Sequence, residues 1–264
     1  MCNRYVPPDE AEIERFWHVG RSSPGPFYRS EIFPRSQGPF IRSRNSNREL
    51  VVGQWGLIPH FAKSPTLKYN TNNARFEELA DKASYRTPRK HGQRCIIPAE
   101  SFDEPCWETG KNVWWRFRRS DGNPWGLAGL WNTWIDKTTG ELFESYTMLT
   151  INADHHPIMN RMHKPDPAYG PDDQDKRSVV SIELEDLDTW LTGSIEEASQ
   201  LIRVPSVDCI WGSRDFPSKN DKVLWKPRHL WPPEGYYFSL TGKYPSIEHI
   251  SSSRSGNFSL NSKW

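Results

Sequence analysis

The sequence predicts an α+β fold, a mainly antiparallel sheet curled into a barrel-like core with helices at its periphery. Three observations point there. Apolar, β-branched or aromatic runs of a strand's length recur between turn signals. These runs neither alternate regularly with helical patterns nor carry a phosphate-cradling glycine loop, which disfavours a doubly wound parallel sheet. Finally, 13 Trp, 22 Pro and 17 Gly in 264 residues suit short, closely packed β elements better than a helical bundle.

Taken in order, residues 9–20 (DEAEIERFWHVG) read as an amphipathic helix with Ile13, Phe16 and Trp17 on one face. Pro8 and Asp9 begin it and Gly20 is placed to end it. Residues 49–59 (ELVVGQWGLIP) read as a strand closed by Pro59. Residues 73–85 (NARFEELADKASY) read as a second helix, with Asn73 as its N-cap or, together with Arg75, at an anion-favouring helix start. Strands are expected at 94–99 (RCIIPA), 113–119 (VWWRFRR), 125–131 (WGLAGLW) and 145–152 (SYTMLTIN), with SDGNP (120–124) as a hairpin turn. The first of these strands runs into an acid-rich loop that contains Glu104. A further strand, SVVSI (178–182), precedes two short helices, LEDLDTWL and SIEEASQLI. Beyond about residue 212 the pattern fades, and SSSRSGNFSLNSK has the composition of a flexible tail. The expected organisation is one domain over 1–212 followed by an extension, 213–264.

The composition excludes several classes. No run of about 18 apolar residues is present, so no membrane span is expected. The N-terminus lacks a basic region followed by an apolar stretch, so a secretory signal is not expected either. Cys2, Cys95, Cys106 and Cys209 lie far apart with no C-x-x-C pair, which argues against a disulfide framework or a thiolate zinc site and fits a reducing cytoplasm. The net charge is +1, yet unevenly spread. Residues 1–48 hold eight Arg against five acids, residues 63–94 hold eight bases against three acids, and residues 141–210 hold fourteen acids against five bases. The basic half invites a polyanion locally, unless the charges balance one another in the folded chain.

The chemistry begins at Cys2. If Met1 is removed, Cys2 carries an α-amine (pKa roughly 7.7–8.0) beside a thiol (roughly 8.5), two nucleophiles on adjacent carbons and both partly available at neutral pH. An aldehyde meeting such a pair forms a Schiff base with the amine, and the sulfur then closes a five-membered thiazolidine. Further candidates are Asn73 and Arg75 in TNNAR, Glu104 after the apolar Phe102, and the histidines of NADHHPIMNRMHKPD. A carboxyl partly removed from water suits proton transfer, and His163 can act as acid or base near neutral pH. His155 and His156 are adjacent and would point apart on a strand. With no H-E-x-x-H nearby, neither a metal nor another cofactor is expected.

Five motifs then stand in a family's order: M-C-x-R-Y at the start, W-G-L-I-P (55–59), N-A-R-x-E (73–77), R-C-I-I-P-A-x-x-F-x-E (94–104) and P-I-M-x-x-M-H (157–163). Over roughly residues 1–210 the chain resembles the SOS-response-associated peptidase family, also described as abasic-site processing proteins. The resemblance implies a β-rich fold particular to that family and an N-terminal Cys exposed by autocatalytic removal of Met1, a hydrolase step. It also implies capture of the ring-opened aldehyde of an abasic site in single-stranded DNA as a thiazolidine crosslink, with lyase-type chemistry. By the same resemblance Cys2 is the crosslinking nucleophile, Asn73 positions its amine, Glu104 is the acid–base carboxylate and His163 protonates the sugar oxygen and Schiff-base intermediates. Arg4 and Arg75 match phosphate contacts, while Trp55 and Phe61 match aromatic surface presented to unpaired bases, where stacking contributes about 1–3 kcal/mol per base. The implied protein is a monomer in the cytoplasm, near the nucleoid in a bacterium, with abasic single-stranded DNA as its partner.

The chain departs from the family pattern at three places. Asn3 replaces the usual Gly, and E-S-F-D-E-P replaces D-G-F-Y-E-W, which sets Asp103 beside Glu104. His163-Lys164-Pro165-Asp166 replaces H-x-R-M-P, so an expected Arg is missing. Placing His163 as the acid preserves the spacing of P-I-M-x-x-M-H; aligning N-R-M instead would put Met159 there. From the residues alone two other functions stand beside DNA capture. One is an N-terminal-cysteine amidohydrolase or peptidase on small amides, with Cys2 as attacking thiol. The other is a non-covalent single-strand-binding module that uses arginines and aromatics only, with strongly salt-dependent affinity.

Overall fold

The structure, a computed structural model, describes residues 2–21, 28–45, 47–170 and 172–214. The expected extension, 213–264, lies outside the described residues except for its first two positions. In chain order the elements are β1 (Arg4–Val6), α1 (Glu10–Trp17), β2 (Gly20–Arg21), β3 (Gln37–Arg44), β4 (Asn47–Trp55), β5 (Asn73–Arg75), α2 (Ala83–Lys90) and β6 (Arg94–Ala99). There follow β7 (Ser101–Cys106), β8 (Val113–Arg119), β9 (Trp125–Ile135), β10 (Leu142–Asn152), β11 (Arg177–Val179), α3 (Leu187–Thr192), α4 (Ile195–Gln200) and β12 (Ile210–Arg214).

Strands β10, β9, β6, β3 and β4 pair antiparallel in that order, and β4 returns to β10 through a parallel pairing of Gln54 with Ser145 and Trp55 with Tyr146. The sheet therefore closes into a five-stranded barrel, which removes its edges. Period-two alternation sorts the side chains. Phe40, Trp55, Cys95, Ile97, Leu127, Tyr146 and Met148 belong to one buried cluster, while their neighbours Ile41, Ile96, Ala128, Leu130 and Leu149 belong to another with Ile13, Trp17, Trp190 and Ala198 of α1, α3 and α4. Strand β6 is buried at every position, which is why RCIIPA reads as a continuous apolar run rather than an alternating one. Gly38 is required where β3 passes two tyrosines: a Cβ there would lie 2.3 Å from the Tyr146 hydroxyl and 2.5 Å from that of Tyr5.

A second, four-stranded sheet runs β1-β7-β8-β12. Its inner residues Tyr5, Phe102, Trp115 and Phe117 join the first cluster, with Phe102 edge-on to Trp125 of the barrel at 5.7 Å between ring centroids. This sheet matters for function because β1 lies antiparallel to β7 with Arg4 opposite Asp103. The chain ahead of Arg4 is thereby directed toward Glu104.

Several expectations need correction. Residues 73–85 do not form a helix: Asn73–Arg75 is a strand parallel to β10, Phe76–Glu78 a single 3-10 turn, and the helix begins only at Ala83. Pairing of Ala74 with Leu149 outweighs the helical propensity of the FEELADK run, so Asn73 caps no helix. The 49–59 strand stops at Trp55, where the chain leaves the barrel through Gly56 at φ 149°. The acid-rich loop after β6 is the strand β7. Helix α1 starts where expected, with Asp9 accepting from the Glu12 amide at 2.8 Å, but His18 rather than Gly20 ends it in the left-handed region. The last expected strand, 178–182, is observed as Arg177–Val179.

Part of the charge asymmetry is met internally. Arg42 pairs with Glu144, Arg48 with Asp188 and Arg75 with Asp175, each joining the basic half to the acid-rich segment. Among the described residues no helix is long and apolar enough to cross a membrane.

Candidate active site

Three separate elements deliver the expected catalytic residues to one place. Cys2 precedes β1 and is fully buried. Its carbonyl accepts from Asn73 Nδ2 at 2.6 Å and from Asn72 Nδ2 at 3.4 Å, so β5 grips the start of the chain. Asn72 Nδ2 also donates to Asn3 Oδ1 at 3.3 Å, which shows how the side chain that replaces the usual Gly is accommodated. The Cys2 thiol faces the Arg4 carbonyl at 3.4 Å.

Glu104 sits on the inner face of β7, 1% exposed, and its carboxylate accepts from His163 Nε2 at 2.8 Å. An ionised carboxylate can only accept, so Nε2 carries the proton in this pair. Burial, the largest influence, pushes the Glu104 carboxyl upward, but the positive amino terminus and His163 outweigh it and hold the group below its ordinary value. The Cys2 thiol moves the other way: burial first, then the Glu104 charge, push it well above its usual range. The thiol is thus a protonated reserve beside a ready base.

His163 reaches this position on a strained backbone. Met162 bridges to Cys106 at the end of β7, the His163 amide donates to the Pro105 carbonyl at 2.6 Å, and His163 itself lies at φ 64°. A left-handed non-glycine residue costs of order 1 kcal/mol or more and persists where its surroundings hold it. Here Lys176 does so: its buried ammonium donates to the carbonyls of Met162 and His163, both at 2.8 Å. Chain order hides this residue, because 164–175 intervene. His163 Nδ1 and Asn73 Oδ1 are buried without a partner among the described residues, two polar atoms of one site for which a ligand can compensate.

The other expected residues divide. Asp103 and Glu104 do not face each other; as neighbours on a strand they point to opposite faces. Asp103 takes Arg4 on one side and Arg116 on the other, an ion triad across β1, β7 and β8. Arg75 stands two residues beyond Asn73 on the same face of β5 and pairs with Asp175 and Glu78. Phe61 is 49% exposed, as a stacking surface requires. Trp55 is not: it is wholly buried, its indole N–H donates to the Asn72 carbonyl at 2.8 Å, and Tyr5 packs on it edge-on. Trp55 is a core residue that supports Asn72, and the expectation that it meets a base is corrected. Beside Asn72 opens a groove of about 220 Å³ lined by Arg35, Gln54, Leu67, Tyr69 and Thr71, with Tyr69 half exposed at its rim.

His155 and His156 lie in a turn, not on a strand. His156 Nδ1 accepts from the amides of Ile158 and Met159 and its Nε2 donates to Pro205, so it organises the run that leads to His163. Among the described residues no group of three His, Cys, Asp or Glu side chains is placed to hold a metal ion.

Comparison with known proteins gives a consistent picture. The family model described as SOS response associated peptidase (SRAP) matches residues 1–209. The chain is 32% identical over 183 residues to the abasic site processing protein YoqW of Bacillus subtilis, covering 67% of this chain and 79% of that one. It is 28% identical over 165 residues to the abasic site processing protein HMCES of Xenopus tropicalis, covering 51% of this chain and 48% of that one. A crystal structure of a protein from Bordetella bronchiseptica superimposes with a TM-score of 0.70 at 33% identity, over 81% of this chain and 99% of the other.

Proposed function

The chain belongs to the SOS response associated peptidase (SRAP) family, and from that premise we propose that it processes abasic sites in single-stranded DNA, capturing them covalently at Cys2. The observation that carries this reading is the convergence of Cys2, Asn73, Glu104 and His163 in one buried cluster, together with relatives named as abasic site processing proteins.

In the first step water cleaves the Met1–Cys2 peptide bond and frees the Cys2 amine. Asn73 Oδ1, without a partner while its amide holds the Cys2 carbonyl, is the acceptor for that amine. His163 delivers a proton to the ring oxygen of the abasic sugar, which opens to the aldehyde. The amine adds to the carbonyl carbon and one water leaves, giving the Schiff base. The Cys2 sulfur then adds to the same carbon and its proton passes through Glu104 to the nitrogen. The product is a thiazolidine formed with net loss of one water and no redox change.

The raised thiol and the lowered carboxyl suit this order, since sulfur is needed last and Glu104 must begin as a base. Proton transfer of this kind contributes about 10²–10⁴-fold. Holding the strand beside the amine supplies the larger effect by making the condensation effectively intramolecular. Phe61 and Tyr69 offer exposed aromatic faces, and Arg75 a partly exposed guanidinium, for a strand to meet.

The test is intact-mass spectrometry of the purified protein before and after mixing with a single strand that bears one abasic site. The expected result is a chain lacking Met1, then a mass increased by the strand less one water and mapped to Cys2. A Cys2→Ala chain that crosslinks equally well would overturn the reading.

A further inference from the structure

Two arginines beside the catalytic cluster converge on one carboxylate. Arg75 Nη2 pairs with Asp175 Oδ2, while Arg177 Nη1 reaches Asp175 Oδ1 at 3.1 Å. Each guanidinium takes a different oxygen, so Asp175 bridges two cations as a phosphodiester does with its two free oxygens. The bridge stands at the rim of the site. Arg75 shares a face of β5 with Asn73, whose amide binds the Cys2 carbonyl, and its side chain remains 40% exposed. Arg177 lies deeper, fixed by Glu77 Oε2 at 2.6 Å and the Thr150 carbonyl at 2.8 Å. Asp175 comes at the end of the stretch that leaves His163 and returns at Lys176, with its backbone left-handed at φ 50°.

We propose that Asp175 is an internal stand-in for a strand phosphate, which holds Arg75 in the free protein, yields it when single-stranded DNA enters, and so sets how weakly undamaged strands bind. The inference rests on the DNA-capture reading and adds a specificity-determining residue to it. An incoming phosphate gains only the difference between its own pairing with Arg75 and the pairing it breaks. Asp175 is not stranded by the exchange, because Arg177 keeps its other oxygen. An intact strand, with nothing to offer Cys2, is therefore released, whereas an abasic strand is retained by a covalent bond that owes nothing to Arg75.

The experiment measures fluorescence anisotropy of a labelled undamaged oligonucleotide with wild type, Asp175→Asn and Asp175→Ser over a range of salt. Glu141→Gln, an exposed acid at the β9–β10 turn, controls for the equal change in net charge. Both Asp175 variants are expected to bind about 3–10-fold tighter than the control at low salt, with a similar log–log salt slope because Arg75 meets the same phosphate in each complex. In an Arg75→Ala background Asp175→Asn should add nothing. Affinity equal to the control, or a gain that persists without Arg75, overturns the inference. Crosslinking of wild type to an abasic strand is scored in parallel. A Cys2 crosslink without the affinity gain removes this inference and leaves the reading; the gain without a crosslink does the reverse.

Discussion

Glu104 shows at the scale of one residue how burial and charge compete. Loss of solvent alone would neutralise it, yet the positive groups around it keep it ionised, and the ionised form holds the His163 proton. The sign of its effect on stability follows. A carboxyl whose value is lowered by folding stabilises the native state fully above its unfolded value of roughly 4.3, and that contribution disappears as the pH falls through the lower folded value. A Glu104→Gln chain should therefore lose less of its Tm than wild type between about pH 5 and pH 3, measured by circular dichroism melts. Equal acid sensitivity of the two proteins would contradict the account. Motif spacing, which survives without knowledge of contacts, singles out Cys2, Asn73, Glu104 and His163 in the sequence, and the structure brings the four together. Lys176, Asn72 and Asp175 were not legible there, since nothing in the chain order marks a lysine thirteen positions past His163 as the donor to its carbonyl.

At the scale of an element, β7 assigns two adjacent acids to different tasks. Glu104 faces inward to His163, and Asp103 faces Arg4 and Arg116 on the flanking strands. Removing Asp103 takes away the buried carboxylate between two guanidiniums, while Glu31 still reaches both. Asp103→Ala should cost about 2–4 kcal/mol in urea denaturation, somewhat less than the roughly 3–5 kcal/mol for breaking a fully buried pair, because both arginines retain some solvent. A loss under about 1 kcal/mol would show that the triad is screened like a surface pair. The same strand explains why the stretch from Ser101 reads as a loop. Pro105 and the paired acids depress strand propensity, and the partners of the acids, Arg4 and Arg116 for Asp103 and His163 for Glu104, come from other segments of the chain.

Across the whole molecule the barrel is what brings a chain start, a mid-chain strand and a late turn together. Trp55 lies at its parallel closure and supports Asn72 through the indole N–H. Trp55→Ala should destabilise by about 3–5 kcal/mol, read from chemical unfolding, and in addition loosen the grip of Asn72 on Cys2. Trp55→Phe, which fills most of the volume, should recover much of the stability but not the hydrogen bond. If Trp55→Ala instead left stability intact and reduced only DNA affinity, the residue would be a base contact after all. The charge distribution belongs to this scale as well. A basic N-terminal half seen in isolation suggests an open polyanion surface, but three of its arginines are claimed by acids from 141–210 once the chain closes.

The sequence by itself determined the fold class and most of the strands, and it singled out four residues that the structure brings together. Local alternation of apolar side chains and short spaced motifs are properties of a linear chain, and they are readable without partners. Only the tertiary structure decided that 73–75 is a strand, that Trp55 is core, and that Arg75 already has an anion. Each of those outcomes turns on a neighbour fifty or more residues away, β10 for the strand, Tyr5 and Tyr146 for the indole, and Asp175 for the guanidinium. Burial and ion pairing are energies of contact, and contacts between distant segments exist only after the barrel has closed.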